Sequence, residues 1–169
     1  MKWIGISGSW RATSPEVEKD VRDFVREVMG RGNGIVTGGA LHVDYFATDE
    51  ALKHDKEAKQ IKVFLPVTLE RYAAHYRKRA SEGVITHEQA EQLVAQLSEL
   101  QQRNPEALVE HKENTVVDMT TYYERNTDVV NASDSLAAFQ VNDSKGVQDT
   151  VDKAKAQGKE VFLKRYSVA

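Results

Sequence analysis

Short apolar runs alternate with amphipathic stretches over most of this chain. The first run, residues 3–7, stops at Ser7-Gly8-Ser9 and predicts a buried strand. Ser14 before Pro15 then supplies an N-cap with proline at the first helical position. Val17, Val21, Phe24, Val25 and Val28 follow at helical spacing until Gly30 or Gly32 stops the helix. Residues 34–37 form a second strand that breaks into Gly38-Gly39, and the next helix carries Val43, Phe46, Ala47 and Ala51 on its inner face. A third strand, residues 61–65, is closed by Pro66.

The alternation is interrupted between residues 67 and 121, where the pattern predicts helices and no strand. Thr86 and Gln89 make a capping box, and Ala90, Leu93, Val94, Leu97 and Leu100 mark one apolar stripe that ends near Asn104-Pro105. That stripe is expected to face the core or a dimer partner. Residues 72–79 are also expected to be helical, with a basic end at Arg77, Lys78 and Arg79. About 55 residues make a marginal independent core, so this stretch, about 67–120, reads as a helical insertion. Helix, strand, helix and strand then return at residues 121–132, 135–141, 145–157 and 161–164. Val147, Val151 and Ala154 face inward in the second of these helices, and Gly158 ends it. Five strands separated by helices predict an α/β fold, a Rossmann-like three-layer sandwich with a parallel sheet in the order 3-2-1-4-5. Residues 1–169 are expected to form one such domain.

Composition changes this picture little. The chain is 40% hydrophobic and 29% charged, with a formal net charge of −3, which gives no global attraction to nucleic acid. Without cysteine there is no disulfide, thiolate metal site or cysteine nucleophile. The five histidines, His42, His54, His75, His87 and His111, show no metal-ligand spacing, so no metal is expected. No apolar run reaches the roughly 20 residues that cross a bilayer, and the apolar start is too short for a signal peptide. A cytoplasmic protein with no membrane association is expected.

In an open parallel sheet, ligands bind beyond the carboxyl ends of the strands where strand order reverses. That point falls between the first and fourth predicted strands. The loops there are Ser7-Gly8-Ser9-Trp10-Arg11 and Asn142-Asp143-Ser144-Lys145-Gly146, with Thr37-Gly38-Gly39-Ala40 beside them. Phosphate oxygens need several backbone N–H donors at close range, and glycine lets the backbone approach. Ser7, Ser9 and Ser144 could add hydroxyl donors, and Arg11 or Lys145 formal charge. A helix dipole accounts for Asp44, in the first turn of its helix, as readily as a ligand contact does. His42 stands out among the histidines because it adjoins the Gly-Gly loop. Gly5-x-x-Gly8 does not complete a Gly-x-Gly-x-x-Gly spacing, and no acidic residue ends the second strand, so a dinucleotide fingerprint is absent.

Four motifs in this order are similar to those of the SLOG superfamily. They are Ser7-Gly8-Ser9, Thr37-Gly38-Gly39-Ala40-x-x-x-Asp44, Arg125-Asn126 and Ser144-Lys145-Gly146-x-x-x-Thr150. The superfamily joins the Rossmann-like domain of DNA-processing protein A, the LOG phosphoribohydrolases and small nucleotide-sensing proteins. The resemblance covers nearly all the chain outside the insertion. It implies that Gly8, Ser9, Gly38, Gly39 and Gly146 cradle the phosphate or ribose of a nucleotide-like ligand. It also implies functional roles for Asp44, Arg125 and Asn126, with Arg125 able to pair with a phosphate. The LOG motif Pro-Gly-Gly-x-Gly-Thr-x-x-Glu is not kept: Thr150 stands at its glutamate position and Asp149 just before it. Glycosidic cleavage needs a well-placed carboxylate, so this departure counts against a LOG-type reaction.

Three functions follow as expectations. The first is binding or sensing of a nucleotide-derived, phosphate-bearing small molecule, by a homodimer and without an evident cofactor. The second is hydrolysis of an N-glycosidic or phosphate bond of a nucleotide, with Asp44, Asp149 or His42 as acid-base candidates. The third is single-stranded DNA binding in DNA uptake or recombination, with Trp10, Arg11, Tyr72, Tyr76, Arg77, Lys78 and Arg79 as the candidate track.

Overall fold

The computed structural model describes residues 1–169. Six parallel strands form one sheet: β1 (Trp3–Gly8), β2 (Gly34–Thr37), β3 (Ile61–Phe64), β4 (Leu108–Val109), β5 (Ser135–Val141) and β6 (Glu160–Tyr166). Their spatial order is β4-β3-β2-β1-β5-β6. Six helices connect them: α1 (Pro15–Gly30), α2 (Val43–His54), α3 (Leu69–Ser81), α4 (His87–Arg103), α5 (Met119–Asn131) and α6 (Lys145–Ala156). No helix is long and apolar enough to cross a membrane.

The α/β architecture is as the pattern predicts, but there are six strands rather than five in the order 3-2-1-4-5. The added strand, β4, lies inside the segment expected to be wholly helical. It pairs with β3 through Val63↔Leu108 and Phe64↔Val109, and the Leu65 N–H donates to the Val109 carbonyl at 2.9 Å. Two residues cannot display a period of two. This strand exists because the sheet edge holds it, and not through local pattern.

The central strands are apolar because helices cover both faces. Along β5, Leu136 and Ala138 join Val147, Val151 and Ala154 of α6, whereas Ala137, Phe139 and Val141 join the larger core with α1 and α2. Phe24 of α1 meets Phe139 edge-on, with ring centroids 5.9 Å apart. The stripe on α4 also faces this core: Leu93, Leu97 and Leu100 are fully buried. That helix docks on α2 through Gln96 Nε2 to the Tyr45 carbonyl (3.0 Å) and Arg103 Nη1 to the Leu52 carbonyl (3.0 Å).

β1 sits between β2 and β5, so the chain winds one way through β2, β3 and β4 and then crosses back to β5. The switch in winding direction opens at the carboxyl ends of β1 and β5.

Candidate functional site

A cleft of about 430 Å³ lies at this switch point. Its inner floor is the end of β1 (Ile6, Ser7 and Gly8) with Gly38, Ala40 and Asp44 from the loop after β2 and the start of α2. One side is the first turn of α6, Ser144 to Val147. The opposite wall comes from the insertion and α5: His75, Tyr76, Arg79, Ile85, Met119, Tyr122 and Tyr123. Trp10 and Arg11 complete the rim, with the Arg11 guanidinium 5.0 Å from the centroid of the Trp10 ring.

Two helices, α2 and α6, begin at the cleft without a side-chain cap. α1, α3, α4 and α5 begin with side-chain caps at Ser14, Thr68, Thr86 and Asp118. α6 begins at Ser144 with no side-chain cap, after Asn142 and Asp143 turn the chain at φ 52° and 56°. The N–H groups of its first turn are therefore left for solvent or ligand, next to the exposed Lys145.

Twelve of the fourteen residues expected to bind ligand line the cleft: Ser7, Gly8, Arg11, Gly38, Ala40, Asp44, Arg125, Asn126, Ser144, Lys145, Gly146 and Thr150. Ser9 and Gly39 do not. The Ser9 hydroxyl accepts from the Val141 N–H (2.9 Å) and donates to the Val141 carbonyl (3.1 Å), tying the end of β1 to the end of β5. Gly39 takes φ +66°, and a Cβ there would stand 2.7 Å from Leu65 Cδ2. Its conformation and its missing side chain serve packing. Thr150 reaches the cleft, but its hydroxyl donates to the Gly146 carbonyl of its own helix at 3.0 Å.

Gly8 and Gly38 are required by close approach. A Cβ on Gly8 would lie 2.2 Å from Val43 Cβ, so the absence of a side chain lets α2 start against β1. A Cβ on Gly38 would lie 2.6 Å from the Arg125 guanidinium. Arg125 is buried there, with Nη1 donating to the Gly38 carbonyl and Nε donating to Asn126 Oδ1 at 3.1 Å. Its guanidinium also lies 5.2 Å from the centroid of the Tyr122 ring.

The three acid-base candidates separate clearly. Asp149 lies outside the cleft and is engaged by Lys153 Nζ (2.8 Å) and Asn126 Nδ2 (3.2 Å). His42 also lies outside it, at φ 65° with its ring beside Phe46, and burial lowers its pKa. Asp44 faces the cleft and is only 5% exposed. Burial pushes its carboxyl up to about 6, against the opposing pull of Arg125 and the Ala40 and Gly38 amides.

The basic run of α3 is divided. Arg79 lines the cleft with Arg11, while Arg77 turns to α4 and pairs with Glu91 at 2.9 Å. Tyr72 is buried behind the wall, where its hydroxyl donates to the Gly39 carbonyl at 2.9 Å. The sequence reading missed His75, Ile85, Met119, Tyr122 and Tyr123. Only Tyr122-Tyr123 had a signal, an aromatic pair one turn before Arg125-Asn126 on the same helix. A separate cluster joins His111 to Glu113 (2.7 Å) and Asp128 (2.5 Å), with Glu124 at 3.3 Å.

Several solved structures share this fold. DNA processing protein A from Helicobacter pylori, described for its single-stranded DNA binding mode, aligns over 96% of this chain at 21% identity and a TM-score of 0.68. DNA processing protein A from Streptococcus pneumoniae aligns over 96% at 16% identity and a TM-score of 0.64. This chain spans 64% and 50% of those two chains, respectively. The molybdenum cofactor binding protein from Rippkaea orientalis aligns over 98% of this chain and 77% of its own, at 17% identity and a TM-score of 0.62. At these identities the likeness concerns the fold alone. No curated protein sequence matches the chain. The sequence itself matches the family model described as DNA recombination-mediator protein A over residues 1–168. With the glycine-rich loops and the Arg125-Asn126 pair set around one cleft, the chain belongs to the DNA recombination-mediator protein A family, within the SLOG superfamily.

Proposed function

We propose that the cleft binds a nucleotide-derived, phosphate-bearing small molecule. The observation that carries this reading is the pairing of two unlike surfaces in one enclosure. The uncapped start of α6, Lys145 and Arg11 suit an anion, and the Tyr122, Tyr123, Met119 and Ile85 wall suits a flat, less polar group. A volume of about 430 Å³ suits a mononucleotide-sized ligand. The molybdenum cofactor binding protein of like fold supports small-molecule binding in this architecture.

Single-stranded DNA binding is the second reading, favoured by the family match and by the DNA binding of the Helicobacter pylori protein. Arg11, Arg79 and the rim aromatics would then hold a strand at the mouth of the cleft.

A thermal-shift series with ribonucleoside monophosphates and a short single-stranded oligodeoxynucleotide tests both. A ligand at about 100 times its Kd should stabilise the fold by roughly 2.7 kcal/mol. A shift with a mononucleotide that Lys145→Ala weakens supports the cleft reading. A shift with the oligonucleotide alone, abolished by salt, supports the second. No shift with any of them refutes the small-molecule reading for nucleotides.

A further inference from the structure

The two edges of the sheet are unlike. β4 is an edge of two residues, Leu108–Val109. β6 is an edge of seven, in unbroken register with β5 from Ser135↔Glu160 to Val141↔Tyr166. It holds no proline and no bulge, two common devices that stop an edge strand from pairing with another chain. The Tyr166 carbonyl accepts the Asn142 N–H at 3.0 Å, so the peptide groups of Glu160, Phe162, Lys164 and Tyr166 turn to β5. By the alternation of a strand, those of Val161, Leu163 and Arg165 turn outward, where no strand of the chain meets them.

The side chains of this edge match an antiparallel copy of themselves. Phe162 and Lys164 face α1: the Phe162 ring stacks on Phe24 with centroids 6.0 Å apart, and Lys164 Nζ bonds Asp20 at 2.7 Å. Alternate residues share a face, so Glu160 lies on it too. Phe162 is nevertheless 51% exposed, and Glu160 is exposed with no ion pair in its own chain. One face therefore presents an open aromatic ring with a negative charge two residues before it and a positive charge two residues after it. An antiparallel copy centred on Phe162 sets each Glu160 opposite Lys164 of the other copy and brings the two Phe162 rings together. The same register joins the outward peptide groups of Val161 to those of Leu163, and it puts Phe162 at a non-hydrogen-bonded position, where facing side chains come closest. Centring on Leu163 instead would set Lys164 against Phe162 and leave Glu160 without a cation. We propose that β6 is a self-complementary edge at which a second copy of this chain docks, antiparallel, about a two-fold axis through Phe162. Because the paired strands run in opposite directions, the carboxyl ends of the two sheets point apart, and each subunit keeps a whole cleft of its own.

Sedimentation velocity of the whole chain over a concentration series tests the proposal. The wild-type protein is expected to pass from monomer to dimer as concentration rises. Glu160→Lys sets a like charge opposite Lys164 of the second copy and should weaken dimerisation at least about tenfold. Glu160 is exposed and unpaired within the chain, so this variant keeps the fold, which circular dichroism checks. The register is read separately, because the chain has no cysteine of its own. Phe162→Cys places two thiols across the two-fold axis within disulfide reach. It should oxidise to a covalent dimer many times faster than Met119→Cys, an exposed control on the cleft rim. A protein that stays monomeric at every concentration overturns the proposal. A dimer that Glu160→Lys leaves unchanged, or in which Phe162→Cys cross-links no faster than Met119→Cys, is held by another face and overturns it equally.

Discussion

Asp44 has a consequence for stability in the ligand-free protein. An acid whose pKa is higher in the folded state costs stability once pH rises above its unfolded value, because folding then opposes ionisation. The carboxyl moves from 3.8 to about 6, and each unit is worth about 1.36 kcal/mol, so the full penalty above about pH 7 is about 3 kcal/mol. The penalty is small near pH 4, grows through the interval between the two values and is complete above the folded one. Asp44→Asn removes the charge and with it this pH dependence. The amide leaves one buried donor unpaired, a cost of about 1–3 kcal/mol that does not change with pH. The absolute effect of the substitution is therefore less informative than its slope. Urea denaturation of both proteins at about pH 4.5 and about pH 8 should show the variant gaining about 2 kcal/mol on the wild type between the two conditions. In a chain of this size that corresponds to a relative gain of about 4–8 °C in Tm. A stability difference that is the same at both pH values would refute the claim that Asp44 is buried with an unmet charge.

Three further outcomes follow from the packing around the cleft. Gly8→Ala places a methyl group against Val43 at the start of α2 and should cost about 1–3 kcal/mol; Val43→Ala in the same chain should recover part of it, measured by chemical denaturation. Tyr72→Phe leaves the buried Gly39 carbonyl without its donor and should cost about 1–2 kcal/mol, with the near-ultraviolet circular dichroism of the rest of the core unchanged. His111 loses some basicity to burial, but the Glu113 and Asp128 carboxylates raise its pKa overall, so its protonated form stabilises the fold at low pH and the benefit fades as pH rises through the folded value. His111→Gln should accordingly lower Tm more at about pH 6 than at about pH 9.

How much of this could be read from the chain depends on how local each cause is. β1, β2, β3 and β5 were legible because strands covered on both faces are written as apolar runs, bounded by glycine or proline in the first three and by Asp134 and Asn142-Asp143 in β5. The α1 and α4 starts were legible because Ser14-Pro15 and Thr86-x-x-Gln89 carry their caps within four residues. β4 was not, since Leu108-Val109 becomes a strand only against the edge of β3. The site divides in the same way. Small residues at strand ends identify the loops, but only the three-dimensional neighbours decide that Gly8 and Gly38 adjoin the cleft while Gly39 turns its back on it toward Leu65. The aromatic wall was invisible for a similar reason. Tyr122 and Tyr123 face the cleft because α5 leaves the insertion and crosses the sheet to reach β5, a route that no window of sequence contains.

The placement of β1 between β2 and β5 bears on how the protein reaches its folded state. Gly8 pairs with Phe139 across 131 positions of chain, and the cleft brings the end of β1, Trp10 and Arg11 together with Ser144 to Val147. Contacts so far apart in sequence must bear the entropy of closing a long loop before they are rewarded, which slows folding. Until the last third of the chain has been synthesised, the inner edge of β1 has no neighbour and the glycine loop beside it has no opposite wall. A nascent or proteolytically shortened chain that ends before β5 would therefore carry the β1 and β2 loops but lack the first turn of α6, and with it one whole side of the cleft.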